Sequence, residues 1–262
     1  MEKGIIVIKM GGRPATDDAG QRLFAGELAA ILSSYLVVVV HGGGAEVSRV
    51  SRIFGLEPVF KDGIRMTTPA EMDVVDMVLA GKLNKEIVRR FHVRGVPAFG
   101  LSGVDGPVFT GTSVEQVSSN RTAHVTEVDP RPLELLLQAG YVPVVASVSQ
   151  DVEGWGLNVN ADEAALETAV ALRAEKLIYL SDVPGIMING NRAARLDERE
   201  IEQAIAAEGI TGGMIPKARS SVAALKRGVS EIVIGEYRSE GDLEKLLGGD
   251  AGTHIFLQGA AR

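Results

Sequence analysis

Near its N-terminus the sequence reads Ile5-Ile6-Val7-Ile8-Lys9-Met10-Gly11-Gly12. Its unbroken apolar run predicts a strand covered on both faces, because a half-solvated strand alternates apolar and polar residues. A lysine and two glycines end the run, although the stability of a buried strand requires no cation there. Proteins hold phosphoryl groups with a cation beside exposed backbone N–H groups. Taken alone, the segment also fits an ordinary glycine turn with a solvated lysine.

Further apolar runs of strand length follow, and stretches with helical spacing lie between them. This alternation predicts an α/β fold, a three-layer αβα sandwich with a mostly parallel central sheet. Residues 55–68 and 107–128 break the alternation and predict short hairpins. The predicted strands after the first are 36–40, 142–146, 177–180 and 231–234. The predicted helices are 18–33, 44–54, 70–92, 130–139, 161–173, 198–207 and 215–227.

The composition excludes several classes of function. A chain of 262 residues that is 45% hydrophobic can form one compact domain or two fused lobes. The net charge of −7, without a dense run of lysine or arginine, argues against nucleic acid as a partner. The absence of cysteine excludes thiol catalysis, and the four histidines lack metal-type spacing. With no apolar run long enough for a bilayer and no recognisable leader, we expect a cytoplasmic protein without a membrane partner.

Three glycine-containing turns follow predicted strands: Gly11-Gly12, Gly42-Gly43-Gly44 and Asp182-Val183-Pro184-Gly185. In open α/β sheets, ligands bind beyond the carboxyl ends of the strands. A glycine triplet that leads into a helix also presents unpaired N–H groups to an anion. Neither the dinucleotide fingerprint nor the Walker pattern is present, so a nucleotide would need a different cradle.

Eight short motifs occur in order along nearly the whole chain. They are Lys9–Gly12, His41–Gly44, Asp62–Thr67, Gly81–Lys85, Gly100–Gly106, Asn158–Asp162, Asp182–Gly185 and Gly212–Lys217. This series resembles the amino acid kinase family, and within it the acetylglutamate kinases. The resemblance implies ATP-dependent phosphorylation of the γ-carboxylate of N-acetyl-L-glutamate to an acyl phosphate, in arginine biosynthesis. It also implies Mg²⁺ with the ATP and few or no direct protein ligands to that metal.

The resemblance further implies roles for individual residues. Lys9 and Lys217 would flank the transferring phosphoryl group, and Asp162 would hold both ammonium groups. The acceptor would be bound by Gly43, Gly44, Arg65, Asn158 and Asn160, with the arginine fork on the α-carboxylate. ATP would be bound by Gly11, Gly12, Asp182, Val183, Pro184, Gly185, Thr211, Gly212, Gly213 and Met214.

We also expect the domain to consist of two lobes with different functions, and we expect particular roles for Lys217, Asp162 and His41. The single domain 1–262 would have an N-terminal lobe, 1–174, for acceptor binding and homodimerisation, and a C-terminal lobe, 175–262, for ATP. Lys217 is expected to open a helix after Pro216, whose N-terminus would favour a phosphate. Asp162 at a helix start also fits a simple cap. His41, beside the acceptor turn, fits either an orienting or a purely structural role.

The sequence departs from the family pattern around the acceptor side and at Arg13. Thr68 follows Thr67 where relatives carry aspartate, and 146–150 replaces a more usual Ala-Pro-x-Gly. These departures leave open a sister kinase that acts on an aminoadipate derivative or a carrier-linked acceptor in lysine biosynthesis. An alternative of another class is a nucleotide-binding regulator without turnover. Lys9, Asp162 and Lys217 together favour an enzyme, because a binder need not keep two lysines at the phosphate.

Overall fold

The computed structural model describes residues 3–61, 64–115 and 119–257. Asp62 and Gly63, which open one of the motifs, lie outside the described residues. The strands are β1 (Gly4–Met10), β2 (Tyr35–His41), β3 (Val59–Lys61), β4 (Ile64–Met66), β5 (Ala98–Ser102), β6 (Phe109–Ser113), β7 (Thr122–Val128), β8 (Val142–Ala146), β9 (Val148–Gln150), β10 (Gly156–Val159), β11 (Lys176–Ser181), β12 (Met187–Ile188), β13 (Asn191–Arg192), β14 (Arg195–Leu196), β15 (Glu231–Glu236) and β16 (Thr253–Ile255).

The helices lie between these strands. They are α1 (Gly12–Thr16), α2 (Asp18–Ile31), α3 (Gly44–Ile53), α4 (Pro69–Val75), α5 (Asn84–Val93), α6 (Arg131–Gln138), α7 (Ala161–Ala171), α8 (Glu198–Ala206), α9 (Met214–Lys226) and α10 (Asp242–Gly248). A π-helix, Asp76–Leu83, joins α4 to α5. No helix among the described residues is both long and apolar enough to cross a membrane.

The chain divides into two compact units, the first of which is Met1–Leu36 with Ala169–Arg262. Its strands are hydrogen-bonded in the order β14-β16-β15-β11-β1, and every pair except β15–β16 is parallel. Val7, Ile178 and Val233 are fully buried, as the unbroken apolar runs predict for strands covered on both faces. Helices α9 and α10 contact β15, and α1 contacts β11.

The second unit is Val37–Thr168. In it β2, β8 and β5 form parallel neighbours in that order, with α5 packed on β5 and β8. Strands β6, β7, β9 and β10 close into a small barrel, and β3 pairs with β4 as an antiparallel hairpin. The π-helix packs Val78, Leu79 and Leu83 into the same buried cluster as Val47 of α3.

The predicted α/β class with a mostly parallel sheet is confirmed, and so are the predicted strands and hairpins. The predicted helices are also present, but 70–92 contains a π-helical segment that its apolar spacing does not reveal. The elements β5, β16, α1 and α10 were not predicted. Strand β16 and helices α1 and α10 are too brief to establish a period, and Gly100 interrupts the apolar run of β5. The functional lobes 1–174 and 175–262 stay a prediction.

Candidate functional site

The turn after β1 folds back on the lysine that precedes it. A Cβ atom added at Gly11 would lie 2.9 Å from Lys9 Nζ and 2.3 Å from the Leu180 carbonyl oxygen. At Gly12 it would lie 2.6 Å from the Ser181 carbonyl oxygen, and Gly12 has a φ of +57°. Only glycine fits both positions, because a side chain would collide with backbone. The structure thus brings Lys9, Gly11 and Gly12 to the carboxyl end of β11.

Lys217 reaches the same strand from α9. Its Nζ atom lies 4.5 Å from the centroid of the Tyr179 ring. Tyr179 is in turn the register partner of Lys9 in the β1–β11 pair. Helix α9 begins at Met214, so the expectation that Lys217 opens it is wrong; Lys217 is its fourth residue. Two lysines far apart in the sequence therefore lie next to the same tyrosine. That they share one anionic ligand stays a prediction.

The remaining predicted ATP residues occupy two segments of the first unit. Asp182–Gly185 follows β11, and a Cβ at Gly185 would lie 2.5 Å from Thr253 Oγ1, with a φ of +146°. Thr253 Oγ1 also accepts a hydrogen bond from the Ile186 N–H at 2.8 Å, which ties the turn to β16. Thr211–Met214 leads into α9, and its glycines have open space around them. The helix that follows this second segment carries Lys217, which contacts Tyr179 of β11.

Arg13, which departs from the family pattern, is engaged with protein groups. Its Nη1 donates to the Arg238 carbonyl oxygen at 2.8 Å, and its Nε donates to Asp17 Oδ2 at 3.3 Å. The side chain of Arg238 reaches Glu236 at 2.6 Å. Arg13 therefore ties the start of α1 to the segment after β15.

The turn Gly42–Gly44, predicted to bind the acceptor and called the acceptor turn below, lies between β2 and α3 in the second unit. Gly43 has a φ of +156°, and a Cβ there would lie 2.1 Å from Leu83 Cδ1 of the π-helix. The Gly43 carbonyl accepts a hydrogen bond from the Val47 N–H at 3.0 Å, in the first turn of α3. Because the peptide is trans, the Gly44 N–H points the opposite way, out of the helix N-terminus. This geometry suits a carboxylate.

Arg65 is placed directly beside that turn. Its Nη2 donates to the Gly44 carbonyl oxygen at 2.9 Å and to Ser48 Oγ. The guanidinium lies 4.8 Å from the Phe60 ring centroid, and Nη1 lies 3.6 Å from Glu71 Oε1. Burial lowers the pKa of Arg65 from its ordinary value, and Glu71 opposes this shift. The group remains a cation, since free arginine titrates far above neutrality.

Asn158 is joined to Arg65 by a short polar network. Asn158 Nδ2 donates to Thr67 Oγ1 at 2.8 Å. Thr122 Oγ1 accepts from the Thr67 N–H at 2.8 Å and donates to the Arg65 carbonyl oxygen at 2.5 Å. Since Thr67 and Thr122 are buried, these hydrogen bonds hold Arg65 and Asn158 in a common arrangement.

Asn160 and Asp162 stand at the start of α7. Asn160 Oδ1 accepts a hydrogen bond from the Asp162 N–H at 2.8 Å, which is the arrangement of a helix N-cap. Asn160 therefore caps the helix, and Asp162, the second helical residue, has a carboxylate that this capping does not use. A role for Asn160 in acceptor binding stays a prediction.

Three residues that support the site were not predicted from the sequence. Glu71 pairs with Arg65, and the Thr68-x-x-Glu71 spacing of a capping box is a signal that could have found it. Asn84 is fully buried and hydrogen-bonded to His41 Nε2 at 3.1 Å, but within the Gly81–Lys85 motif nothing distinguishes it from its neighbours. Thr122 carries no signal, because a lone threonine in a hairpin is common. Within 3–61, 64–115 and 119–257, no three or more His, Asp or Glu side chains form a group that could hold a metal.

Comparisons with known proteins identify the family of this chain. Residues 4–236 match the model of the amino acid kinase family. The acetylglutamate kinase of Carboxydothermus hydrogenoformans is 38% identical over 96% of this chain and 91% of its own. The solved N-acetylglutamate synthase of Neisseria gonorrhoeae has a TM-score of 0.83 at 23% identity, over 97% of this chain and 59% of that one. A Giardia carbamate kinase has a TM-score of 0.70 at 14% identity, over 98% and 100% of the two chains. These two structures support the fold. The family match and the 38% identical relative show the family: the chain belongs to the amino acid kinase family.

Proposed function

We propose that this chain transfers the γ-phosphoryl group of ATP to the γ-carboxylate of N-acetyl-L-glutamate, as an early step of arginine biosynthesis. The observation that carries the proposal is the pairing of Arg65 with the acceptor turn, through the 2.9 Å bond to the Gly44 carbonyl. A glycine turn with outward N–H groups suits one carboxylate, and a buried arginine fork suits a second. N-acetyl-L-glutamate carries two carboxylates. Relatives that are 38% identical to this chain are named acetylglutamate kinases, after that acceptor.

In the proposed reaction, a γ-carboxylate oxygen of the acceptor attacks the γ-phosphorus. The new O–P bond forms as the bond to the ADP oxygen breaks, giving an acyl phosphate and ADP. No base is needed, because a carboxylate is already ionised near neutrality. Catalysis then consists of positioning and of stabilising charge on the equatorial oxygens. We assign that stabilisation to Lys9 and Lys217, with Gly11 and Gly12 presenting N–H groups to the phosphates.

The other expected components belong to the same proposal. Mg²⁺ would bind together with ATP and be held mainly by the phosphates and by water. The residues proposed to bind the phosphates, which are lysines and glycines, fit this because they offer no carboxylate for the metal. Asp162 would orient the lysines, as the family resemblance implies. A homodimer in the cytoplasm is also proposed, and light scattering after size exclusion would test it by giving twice the chain mass.

A coupled ADP-release assay tests the function. The purified protein is offered N-acetyl-L-glutamate and N-acetyl-L-aminoadipate in separate reactions, each with MgATP. Turnover with the glutamate derivative, trapped as its hydroxamate to prove an acyl phosphate, supports the proposal. Preference for the longer aminoadipate derivative would assign the chain to the sister reaction. ATP binding without turnover on either acceptor would favour a nucleotide-binding regulator.

A further inference from the structure

The side chain of Asn84 contacts the backbone of two strands and the ring of one histidine in the second unit. Its Nδ2 lies 2.8 Å from the Val144 carbonyl oxygen of β8 and 3.2 Å from the Leu101 carbonyl oxygen of β5. Its Oδ1 accepts from Lys85 Nζ at 2.9 Å. Carbonyl oxygens only accept and an ammonium only donates, so these neighbours determine which way the amide points. The nitrogen therefore also faces His41 Nε2, 3.1 Å away.

The orientation of Asn84 determines the tautomer of His41. Nε2 faces the amide nitrogen of Asn84, which cannot accept a hydrogen bond, so Nε2 must carry the lone pair. The two Nδ2 hydrogens are shared among Nε2 and the two carbonyl oxygens. Nδ1 lies 2.9 Å from the Gly42 carbonyl oxygen, so it must carry the proton. Burial of the ring lowers the pKa of His41 to about 4, with the nearby Lys85 acting in the same direction. The imidazole is therefore neutral at physiological pH, with its proton on Nδ1.

The His41 proton in turn determines the direction of one peptide group. The Gly42 carbonyl points inward to His41 Nδ1. The Gly42–Gly43 peptide is trans, so the Gly43 N–H points away from the buried ring. Gly43 has no side chain to restrict rotation of this peptide, and a residue with a φ of +156° needs an external constraint. His41 supplies that constraint.

We propose that Asn84 and His41 are positioning residues that aim the Gly43 N–H at the acceptor carboxylate. The inference rests on the proposed function of the acceptor turn and names two groups that set its geometry. The packing agrees with it: a Cβ at Gly100 would lie 2.2 Å from Asn84 Oδ1, so glycine there admits the amide. The π-helix ends immediately before Asn84 and places Leu83 against Gly43. The junction of the π-helix with α5 thus places Leu83 against Gly43 and Asn84 against His41, and π-helical segments are frequent at functional sites.

NMR of the full-length protein with ¹⁵N-labelled histidine tests the pairing directly. We expect the His41 ring to be neutral with Nδ1 protonated between pH 6 and 8, a state that the chemical shifts of the two ring nitrogens report. In Asn84→Asp the new carboxylate can only accept, so Nε2 should become protonated. A wild-type ring protonated on Nε2, or on both nitrogens at pH 7, would overturn the inference. This measurement does not depend on which acceptor the enzyme uses.

Steady-state kinetics test the consequence for the acceptor. His41→Leu should lower kcat/KM for the acceptor by about tenfold to a hundredfold, because small misplacements of a binding group cost that much. The KM for ATP should change less than about twofold. His41→Asn places an amide N–H near the position of Nδ1 and should restore most of the activity. His92→Asn, at an exposed histidine of α5, is the matched control and should behave as wild type.

The outcomes distinguish a failure of the positioning role from a failure of the proposed function. Equal losses toward ATP and acceptor, or no rescue by His41→Asn in a folded variant, would overturn positioning. Unchanged acceptor kinetics in His41→Leu would do the same. If the wild type turns over neither acceptor, the proposed function fails, while the NMR result still decides the tautomer. Thermal unfolding of each variant shows whether it is folded.

Discussion

The Lys217 Nζ atom lies 4.5 Å from the centroid of the Tyr179 ring. A cation at this distance from an aromatic face is attracted by the ring quadrupole, by about 0.5–2 kcal/mol. Tyr179 is buried in β11, so it offers a rigid face that holds the flexible lysine stem in one region. The aligned position of Lys9 on β1 makes Tyr179 the residue that both proposed phosphate cations share.

Tyr179→Leu should lower kcat by about threefold to thirtyfold, because the Lys217 ammonium loses its aromatic partner. Tyr179→Phe keeps the ring and should stay close to wild type. The coupled assay measures kcat, and thermal unfolding controls for loss of core volume. Equal activity losses in the two variants would argue against a role for the ring face.

Lys217→Ala should abolish turnover, with kcat reduced by about a thousandfold or more, since charge stabilisation dominates phosphoryl transfer. ATP should still bind, because other groups cradle the nucleotide; calorimetric titration measures this. Lys226→Ala is the control: it removes a lysine of the same helix that pairs with exposed Glu198 at 2.6 Å. Retained turnover in Lys217→Ala would refute the assignment.

Gly11→Ala should weaken ATP binding and lower the thermal midpoint, because the new Cβ would lie 2.3 Å from the Leu180 carbonyl oxygen. The Leu180 backbone cannot easily move away, and the other close atom is Lys9 Nζ at 2.9 Å, so relaxation would displace the lysine that faces the phosphates in the proposed function. Gly26→Ala, in α2, is the matched control; no atom lies within 4 Å of its Cβ position. That change should be neutral or stabilising by up to about 1 kcal/mol. Wild-type nucleotide affinity in Gly11→Ala would contradict the close approach.

Glu71→Gln should raise the acceptor KM by about tenfold while leaving the ATP KM unchanged. The carboxylate that faces Arg65 Nη1 at 3.6 Å is buried, and its neutral replacement leaves the guanidinium less well oriented. Glu57→Gln is the control, since Glu57 is exposed and lies 3.8 Å from Arg52. An unchanged acceptor KM in Glu71→Gln would show that Arg65 is held by its other contacts alone.

The free energy of unfolding should decrease as the pH is lowered from about 6.5 to about 4, because His41 titrates differently in the folded and unfolded chains. The pKa of His41 is lowered by burial from 6.5 to about 4 in the folded protein. Between these values the unfolded chain binds more protons than the folded one, so the free energy of unfolding decreases as the pH falls. The contribution is complete above the unfolded pKa, is lost as the pH drops to the folded pKa, and is on the order of 3 kcal/mol.

Thermal midpoints at pH 7 and pH 4.5 measure this dependence. His41→Asn removes the titrating group, so its midpoint should fall less than that of wild type over the same interval. An identical fall in the two proteins would assign the effect to other groups.

Much of the candidate site follows from local sequence patterns. The runs that end in Lys9 and His41 predict buried parallel strands, and the carboxyl ends of such strands are where ligands bind. The glycines after them are equally informative, because few other residues accept a positive φ. By contrast, the prediction that Lys217 opens a helix is wrong by three residues. Helix α9 begins at Met214 after Gly213 without a side-chain cap, so no capping residue in the sequence marks its start.

The α/β class, the strand-end turns and their glycines can be predicted from the amino-acid sequence, because apolar period and backbone freedom are local properties. Three relationships become visible only in the folded chain: Lys217 lies over Tyr179, Glu71 faces Arg65, and Asn84 contacts His41. The physical reason is that these relationships join residues far apart in the chain. Their geometry depends on strand register, on the π-helix and on the close approach that single glycines permit.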